Sequence, residues 1–216
     1  MPKTLALLVL LFLAACAQVA ASPAIPSPAI DERAGATGDR FAVFAGGCFW
    51  GVDAVFKHVK GVKTVVSGYA GGSAATAHYN IVEGGQTGHA ESVQVVYDPS
   101  QITYGQLLQI FFSVAHDPTQ LNRQGPDRGT QYRSVVFFAS DEQQQIARAY
   151  VEQLNKAKVF KKTIVTEIQR LDAFYPAEAY HQNYFASHPN DLYIVMNDAP
   201  KVAHLKEQFP NIYKDR

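Results

Sequence analysis

The sequence feature that most constrains the fold is an apolar run that ends at two glycines and a cysteine. Residues 41–45 read FAVFA, which predicts a buried strand, and Gly46–Gly47 end it. After Cys48, apolar side chains recur at the spacing of one helix face, at Phe49, Val52, Val55 and Phe56. The pattern predicts a strand, a tight turn and a helix, with Cys48 at the start of the helix.

The remaining chain mixes strand-like and helix-like segments without an internal repeat. Alternation predicts a strand over 89–97, and strand-like composition predicts further strands over 62–69, 132–139 and 163–171. Helical spacing and start signals predict helices over 104–115, 140–159, 176–186 and 200–209. Residues 70–88 and 117–129 are predicted to be long loops. This mixture predicts an α+β fold, in which helices pack on a largely antiparallel or mixed sheet.

Composition excludes several classes of protein. The 216 residues are enough for one domain with a sizeable core. Lys and Arg together number 19, as do Asp and Glu, so the formal net charge is zero. A protein that binds nucleic acid by neutralising phosphates needs a basic excess, which this chain lacks. The 13 Phe and 11 Tyr argue against a disordered chain.

The N-terminus is typical of an export signal. Residues 1–15 carry one charge, Lys3, before an apolar run that is shorter than the roughly 20 residues needed to span a bilayer. The sequence Leu13-Ala14-Ala15-Cys16 resembles a bacterial lipobox, which predicts that Cys16 is lipidated and that the protein is exported, periplasmic and membrane-anchored. The alternative is ordinary cleavage near Ala21. Residues 16–39, rich in Pro, Ala and Ser, are predicted to be a tether, and residues 40–216 a catalytic domain.

Cysteine usage leaves one thiol in the predicted domain. The chain has two cysteines, Cys16 and Cys48. At a helix N-terminus, free amides and the helix dipole favour a thiolate, so we expect the pKa of Cys48 to be lowered. The alternative is a small, inert core residue. No cysteine cluster has the spacing of a metal site, and His181 and His188 are interpreted as surface or structural residues.

A glutamate in the third predicted strand is the candidate acid. Glu91 shares one strand face with Val93, Val95 and Tyr97. A carboxyl on an apolar face is desolvated, so its pKa should rise and it could act as a general acid. The alternative is a strand-end Glu that pairs with a surface Lys.

Three further polar residues lie in loops that suit a functional site. Asp127 and Tyr132 belong to the segment GPDRGTQYRS, and Tyr79 lies in the glycine-rich loop. Taken singly, each tyrosine could equally be a half-buried packing residue. Together with a thiolate, an acid and the aromatic pair Phe49–Trp50, they suit reduction of a sulfoxide. The thiolate would attack sulfur, the oxygen would remain on cysteine as a sulfenic acid, and the rings would hold an S-methyl group.

Seven segments in the same order resemble the peptide methionine sulfoxide reductase family of type A. They are GGCFWG, GYAGG, TGHAE, VYDP, HDPTQ, DRGTQYRS and FYPAEAYHQNYF, and the resemblance covers roughly residues 40–187. The resemblance implies a two-layer sandwich with a ferredoxin-like core. It also implies reduction of the S epimer of methionine sulfoxide, free or in oxidised proteins, and therefore protein repair.

The resemblance also implies residue roles. Cys48 would be the nucleophile and Glu91 the acid. The sulfoxide oxygen would be held by Tyr79, Asp127 and Tyr132. The methyl pocket would be formed by Phe49 and Trp50.

One departure from the family pattern concerns the reductant. Many members carry a second, resolving cysteine, whereas this chain has none after Cys48. The sulfenic acid would therefore need an external thiol, which could be thioredoxin-like, glutathione-type or a dithiol, and no bound cofactor or metal is expected. Three other interpretations of the residues stay open: a thiol peroxidase, a Cys–His hydrolase with His89 as base, and a lipid-anchored binding module.

Overall fold

A computed structural model of the chain describes residues 25–33 and 37–215. The predicted export signal (1–15), Cys16 and the first part of the predicted tether lie outside these residues. Among the helices that the structure describes, none has both the length and the apolar character needed to cross a membrane.

The main sheet has six strands and a ferredoxin-like centre. The strands of the described residues are β1 (Arg40–Gly46), β2 (Val62–Ala70), β3 (Ala90–Tyr97), β4 (Arg123–Gln124), β5 (Asp127–Arg128), β6 (Ser134–Phe138), β7 (Glu167–Arg170) and β8 (Phe174–Pro176). The order in the main sheet is β7-β6-β1-β3-β2-β8, and β4 pairs with β5 separately. All pairs are antiparallel except β6 with β7.

Helices connect these strands. They are α1 (Phe49–Lys57), α2 (Tyr79–Val82), α3 (Tyr104–Ile110), α4 (Asp141–Lys156), α5 (Tyr184–Ser187) and α6 (Ala199–Gln208). A π-helical turn, Phe111–Ala115, follows α3, and another, Ile194–Asp198, precedes α6. With α1 between β1 and β2, and α3 between β3 and β6, the central strand order β6-β1-β3-β2 is that of the ferredoxin-like motif. The predicted α+β fold is confirmed.

The larger core lies between the sheet and the helices. Phe44 in β1 stacks on Phe56 of α1 at 5.2 Å and on Phe111 at 4.9 Å, measured between ring centroids. Its neighbours Val43 and Ala45 face a smaller apolar cluster on the opposite side of the sheet. Burying side chains of this size stabilises the fold by about 1.5–3 kcal/mol each. This packing fixes β1, and therefore fixes the turn that follows it.

The segment 25–33 packs against the domain, so the prediction of a tether over 16–39 is wrong for these residues. Asp31 Oδ1 accepts a hydrogen bond from Gly105 N at 2.8 Å, and Glu32 Oε1 accepts one from Tyr104 N at 2.8 Å. Two carboxylates thus satisfy N–H groups that the first turn of α3 leaves free. The segment has no apolar periodicity, and these polar capping contacts contribute to holding it in place.

The predicted helix over 176–186 is also wrong. Pro176 ends β8, which pairs with β2 at the edge of the sheet, opposite Gly68. Proline lacks an N–H and is tolerated on an edge strand. Only a 3₁₀ turn, Ala179–His181, and the short α5 follow.

Candidate active site

Cys48 lies where β1 ends and α1 begins. Gly46 closes β1, and Cys48 is the N-cap residue of α1. Gly47 has a φ of +92°, and a Cβ there would lie 2.5 Å from the Gln124 side chain, so only glycine fits this turn. The predicted strand, glycine turn and helix start are confirmed.

The environment of Cys48 favours the protonated thiol. Burial raises the pKa of Cys48 well above its ordinary value, and the negative charges of Glu91 and Asp198 raise it further. The N–H of Trp50 and the cation of Lys201 act in the opposite direction. The prediction of a lowered pKa is therefore wrong for this structure, because desolvation and two carboxyls outweigh the helix N-terminus.

Glu91 lies beside the first turn of α1. Its side chain is 3% exposed, and its Oε2 accepts a hydrogen bond from Phe49 N at 3.0 Å. Burial raises the pKa of Glu91 to about 8; the Phe49 hydrogen bond opposes this, whereas Asp127 and Asp198 add to it. At neutral pH the Glu91 carboxyl is thus protonated, and it is hydrogen-bonded to Phe49, the residue that follows Cys48.

The predicted apolar face of β3 is confirmed. The residues that alternate with Glu91 are all buried, namely Val93, Val95 and Tyr97. In the part of the chain that the structure describes, Glu91 forms no salt bridge with a Lys or Arg side chain, so the alternative of a surface ion pair is not observed. The carboxyl is desolvated, as the strand pattern predicted.

Tyr79 and Tyr132 face the same pair of groups. Burial raises the pKa of Tyr79 to about 12, and the charges of Glu91 and Cys48 contribute. Burial raises the pKa of Tyr132 well above its usual range, with Glu91 and Asp127 as the next causes. Both phenols therefore remain protonated and can donate hydrogen bonds.

Asp127, the third predicted loop residue, is held by a residue that the sequence analysis missed. Tyr193 OH donates a hydrogen bond to Asp127 Oδ2 at 2.5 Å. Burial raises the pKa of Asp127, and the bond from Tyr193 opposes that rise. The structure thus places all of the predicted loop residues around Glu91.

An aromatic wall borders the thiol. Phe49 is 1% exposed, and its ring centroid lies 4.9 Å from that of His181. Trp50 stacks on Tyr184 with centroids 3.7 Å apart and planes 7° from parallel. Its indole Nε1 donates to His181 Nδ1 at 3.2 Å. Ring contacts and one hydrogen bond thus hold both side chains in place, and aromatic rings of this kind suit a small apolar group.

The C-terminal third supplies residues that no local pattern indicated. Glu178 accepts a hydrogen bond from Tyr79 N at 2.9 Å and another from Tyr69 OH at 2.9 Å, which fixes the start of α2. His188 is exposed and stacks on Tyr184, as expected for a surface residue, whereas His181 is 2% exposed and lies in the aromatic wall of the candidate site. The partners of Glu178 and the Trp50 partner of His181 lie 99 to 131 positions away, beyond any sequence periodicity.

His89 is not placed to act as a base toward Cys48. Its Nδ1 accepts a hydrogen bond from Gly72 N at 3.2 Å, and its Nε2 pairs with the carbonyl of Ser73 at 2.9 Å. Both ring nitrogens are occupied by backbone groups, which removes support from the Cys–His hydrolase interpretation. Within residues 25–33 and 37–215, no group of three or more His, Cys, Asp or Glu side chains could hold a metal ion.

A buried thiol, a protonated carboxyl and phenolic donors at one end of an α+β sheet are the features of a thiol-dependent oxidoreductase. Comparison with known proteins supports this class. The family model for peptide methionine sulfoxide reductase matches residues 40–213.

Individual relatives carry the same description. The chain is 58% identical over 187 residues to the peptide methionine sulfoxide reductase MsrA 2 of Mesorhizobium japonicum, covering 87% of this chain and 95% of that one. It is 50% identical over 196 residues to the MsrA 2 of Synechocystis sp., covering 89% and 92%. The crystal structure of reduced Mxr1 from Saccharomyces cerevisiae is 36% identical with a TM-score of 0.65, covering 73% of this chain and 90% of that one.

The chain belongs to the peptide methionine sulfoxide reductase family. It is an oxidoreductase that reduces methionine sulfoxide, the reaction by which this family repairs oxidised proteins. The resemblance inferred from the seven sequence segments is confirmed, and the peroxidase and binding-module interpretations are set aside.

Proposed function

We propose that Cys48 is the nucleophile and Glu91 the general acid in reduction of the S epimer of methionine sulfoxide. The observation that carries this proposal is the hydrogen bond of 3.0 Å from Phe49 N to Glu91. This hydrogen bond holds the Glu91 carboxyl, which is protonated at neutral pH, against the residue that follows Cys48. A nucleophile and a proton source thus share one buried site.

The first step transfers oxygen from the substrate to the enzyme. The Cys48 thiolate attacks the sulfoxide sulfur while Glu91 gives its proton to the sulfoxide oxygen. The sulfur–oxygen bond of the substrate breaks, and methionine leaves with a two-electron-reduced sulfur. The products on the enzyme are a Cys48 sulfenic acid and a Glu91 carboxylate. Without the proton, negative charge would build up on oxygen in a buried site.

The surrounding residues hold the substrate during this step. Tyr79 and Tyr132 donate hydrogen bonds to the sulfoxide oxygen, and Asp127, braced by Tyr193, completes the polar side. Phe49 and Trp50 hold the S-methyl group, because methyl and sulfur pack well on ring faces. The rigid stacking of the indole supports this assignment.

An external thiol closes the cycle. The sequence has no cysteine after Cys48, so no resolving thiol from the domain can attack the sulfenic acid. Two equivalents of a monothiol, or one dithiol, would reduce it to the Cys48 thiol and water. A thioredoxin-like protein, a glutathione-type thiol and a small dithiol all supply this chemistry.

A single-turnover assay tests this proposal. Reduced enzyme, with excess methionine S-sulfoxide and no added thiol, should release about one methionine per Cys48 and then stop at the sulfenic acid. Added dithiol should restart turnover. Release of several equivalents without a thiol would contradict the proposal, since electrons would then come from another donor.

We further propose that the protein is exported and anchored through a lipid on Cys16. The support is the apolar run that ends at Leu13-Ala14-Ala15-Cys16. More than one acyl chain is needed for stable anchoring, at about 0.8 kcal/mol per buried CH₂. Cys16→Ala should move the protein from the membrane fraction to a soluble form, or leave the precursor uncleaved. A soluble mature form of the unmutated protein that begins near Ser22 would refute lipidation.

A further inference from the structure

A second pair of charged residues, not used in the proposed reaction, lies at the first turn of α1. Asp198 Oδ1 and Lys201 Nζ are 3.0 Å apart. The Asp198 side chain is fully buried, and that of Lys201 is 18% exposed. Both come from the C-terminal part of the chain, at the junction of the π-helical turn and α6.

Gly51 brings this ion pair against the helix that begins at Cys48. A Cβ at Gly51 would lie 2.1 Å from Asp198 Oδ1 and 2.6 Å from Lys201 Nζ. The absence of a side chain at this one position therefore lets the pair touch the backbone of the first helical turn. The pair lies close enough for both charges to act on the thiol.

The hydrogen bonding of Asp198 is incomplete for a structural ion pair. Its Oδ2 is buried and has no hydrogen-bond partner among the residues that the structure describes. Buried polar atoms are normally satisfied, and an exception calls for an explanation. A buried pair with an unsatisfied oxygen is also a weak source of stability, because desolvation offsets its attraction.

We infer that Asp198 and Lys201 are positioning residues that set how readily the Cys48 thiol ionises, with Lys201 favouring the thiolate and Asp198 opposing it. The inference rests on the proposed role of Cys48 as nucleophile. It explains why a buried carboxylate and a cation are brought together beside this helix turn.

Near neutral pH, where the reaction is proposed to run, the other groups around Cys48 are neutral. Glu91 from β3 holds its proton at neutral pH, because burial raises its pKa to about 8. The facing hydroxyls are protonated, namely those of Tyr79, Tyr132, Tyr184 and Tyr193. Of the groups that act on Cys48, Asp198 and Lys201 are therefore the pair that carries formal charge near neutrality. Their separate removal should have opposite effects.

The test is the pH dependence of Cys48 alkylation by a small reagent. Asp198→Asn keeps the side-chain shape, removes the negative charge and should lower the midpoint by about one pH unit, which is about tenfold faster alkylation at pH 7. Lys201→Met removes the cation and should slow alkylation by about threefold; the effect is smaller because the charge of Lys201 acts less strongly on the thiol than that of Asp198 does. Lys201→Arg should restore the unmutated midpoint.

The matched control is Lys206→Met on the same helix, since Lys206 pairs with Asp215 at the surface. It should leave the midpoint unchanged. The inference would be overturned if the midpoints do not move, or if they move in the same direction in Asp198→Asn and Lys201→Met. If Asp198→Asn does not fold, the Lys201 variants provide the test: the inference would be overturned if Lys201→Arg does not restore the alkylation rate that Lys201→Met loses. Alkylation does not require sulfoxide, so failure here is distinguishable from failure of the proposed reaction.

Discussion

Two buried glutamates at opposite ends of β1 show how the same side chain serves different purposes. Glu32 lies near the beginning of the strand and forms an ion pair with Arg40; it also accepts hydrogen bonds from Tyr97 OH and Tyr104 N. Glu91 lies near the end of the strand and accepts its hydrogen bond from Phe49 N. Their exposures are similar, at 6% and 3%.

The difference between them lies in their partners. Glu32 pairs with a cation and accepts two further hydrogen bonds, one of which caps α3. In the described part of the chain no cation pairs with Glu91, and burial raises its pKa to about 8. Depth of burial alone therefore does not identify a reactive carboxyl; the balance of donors and charges around it does.

The largest expected effect is at the thiol. Cys48→Ser should remove essentially all sulfoxide reduction, because an alcohol without an adjacent base is a poor nucleophile. The free energy of unfolding should change little. Methionine release in single turnover and chemical denaturation measure the two quantities. Substantial residual turnover would show that the nucleophile is elsewhere.

Glu91→Gln should lower the chemical step by about 10²–10⁴-fold at neutral pH, the usual contribution of general acid catalysis. The amide keeps the shape and can still accept the Phe49 hydrogen bond, so Cys48 should remain available to alkylation. Rapid-quench measurement of the first turnover gives the rate. A variant within a few-fold of the unmutated protein would transfer the acid role to Asp127 or a tyrosine.

The same substitution should stabilise the fold in alkali. Glu91 has a pKa of about 8 when folded and an ordinary value of 4.5, so the folded state keeps a proton that the unfolded state releases between these values. The stability of the unmutated protein should fall across this range, whereas glutamine does not titrate. The difference should nearly vanish at pH 4 and reach on the order of 5 kcal/mol by pH 9. Equal stabilities at both pH values would contradict the raised pKa.

Glu32→Gln should lower stability at neutral pH and leave the reaction rate nearly unchanged, which is the reverse of the result expected for Glu91→Gln. Loss of the charged partner of Arg40 should cost about 2 kcal/mol of stability at neutral pH, the usual worth of hydrogen bonds to charged groups. The single-turnover rate should stay within about twofold, since Glu32 lies at the far end of the strand. Thermal unfolding and the methionine assay together separate the two glutamates. A large loss of rate in a folded Glu32→Gln variant would contradict the assignment of a purely structural role to Glu32.

Local sequence patterns predicted the elements that hold Cys48 and Glu91. The apolar run before Gly46–Gly47 and the alternation in β3 both report short-range periodicity, which single sequences carry well. The direction of the Glu91 pKa shift followed from its place on an apolar face. The Cys48 pKa was predicted in the wrong direction, because the helix start is visible in the sequence but Asp198 and the depth of burial are not.

The remaining parts depend on contacts between distant segments. Tyr193 reaches Asp127 across 66 positions, and Glu178 reaches Tyr79 across 99. In the sequence Pro176 is typical of a helix start, but in the structure it pairs with β2 on a sheet edge. The segment 25–33 resembled a linker in composition, although its two acidic residues cap α3. No periodicity within one element reports such pairings.

The central claim, that reduction requires a Cys48 thiolate beside a protonated Glu91, is tested most directly by the pH profile of the single-turnover rate. The unmutated protein should give a bell-shaped profile: below both pKa values no thiolate exists, and above both no acid remains, so the apparent values belong to the pair. Glu91→Gln should lose the falling limb and rise with thiol ionisation alone. A Gln variant that keeps the falling limb, or an unmutated protein without one, would contradict the account.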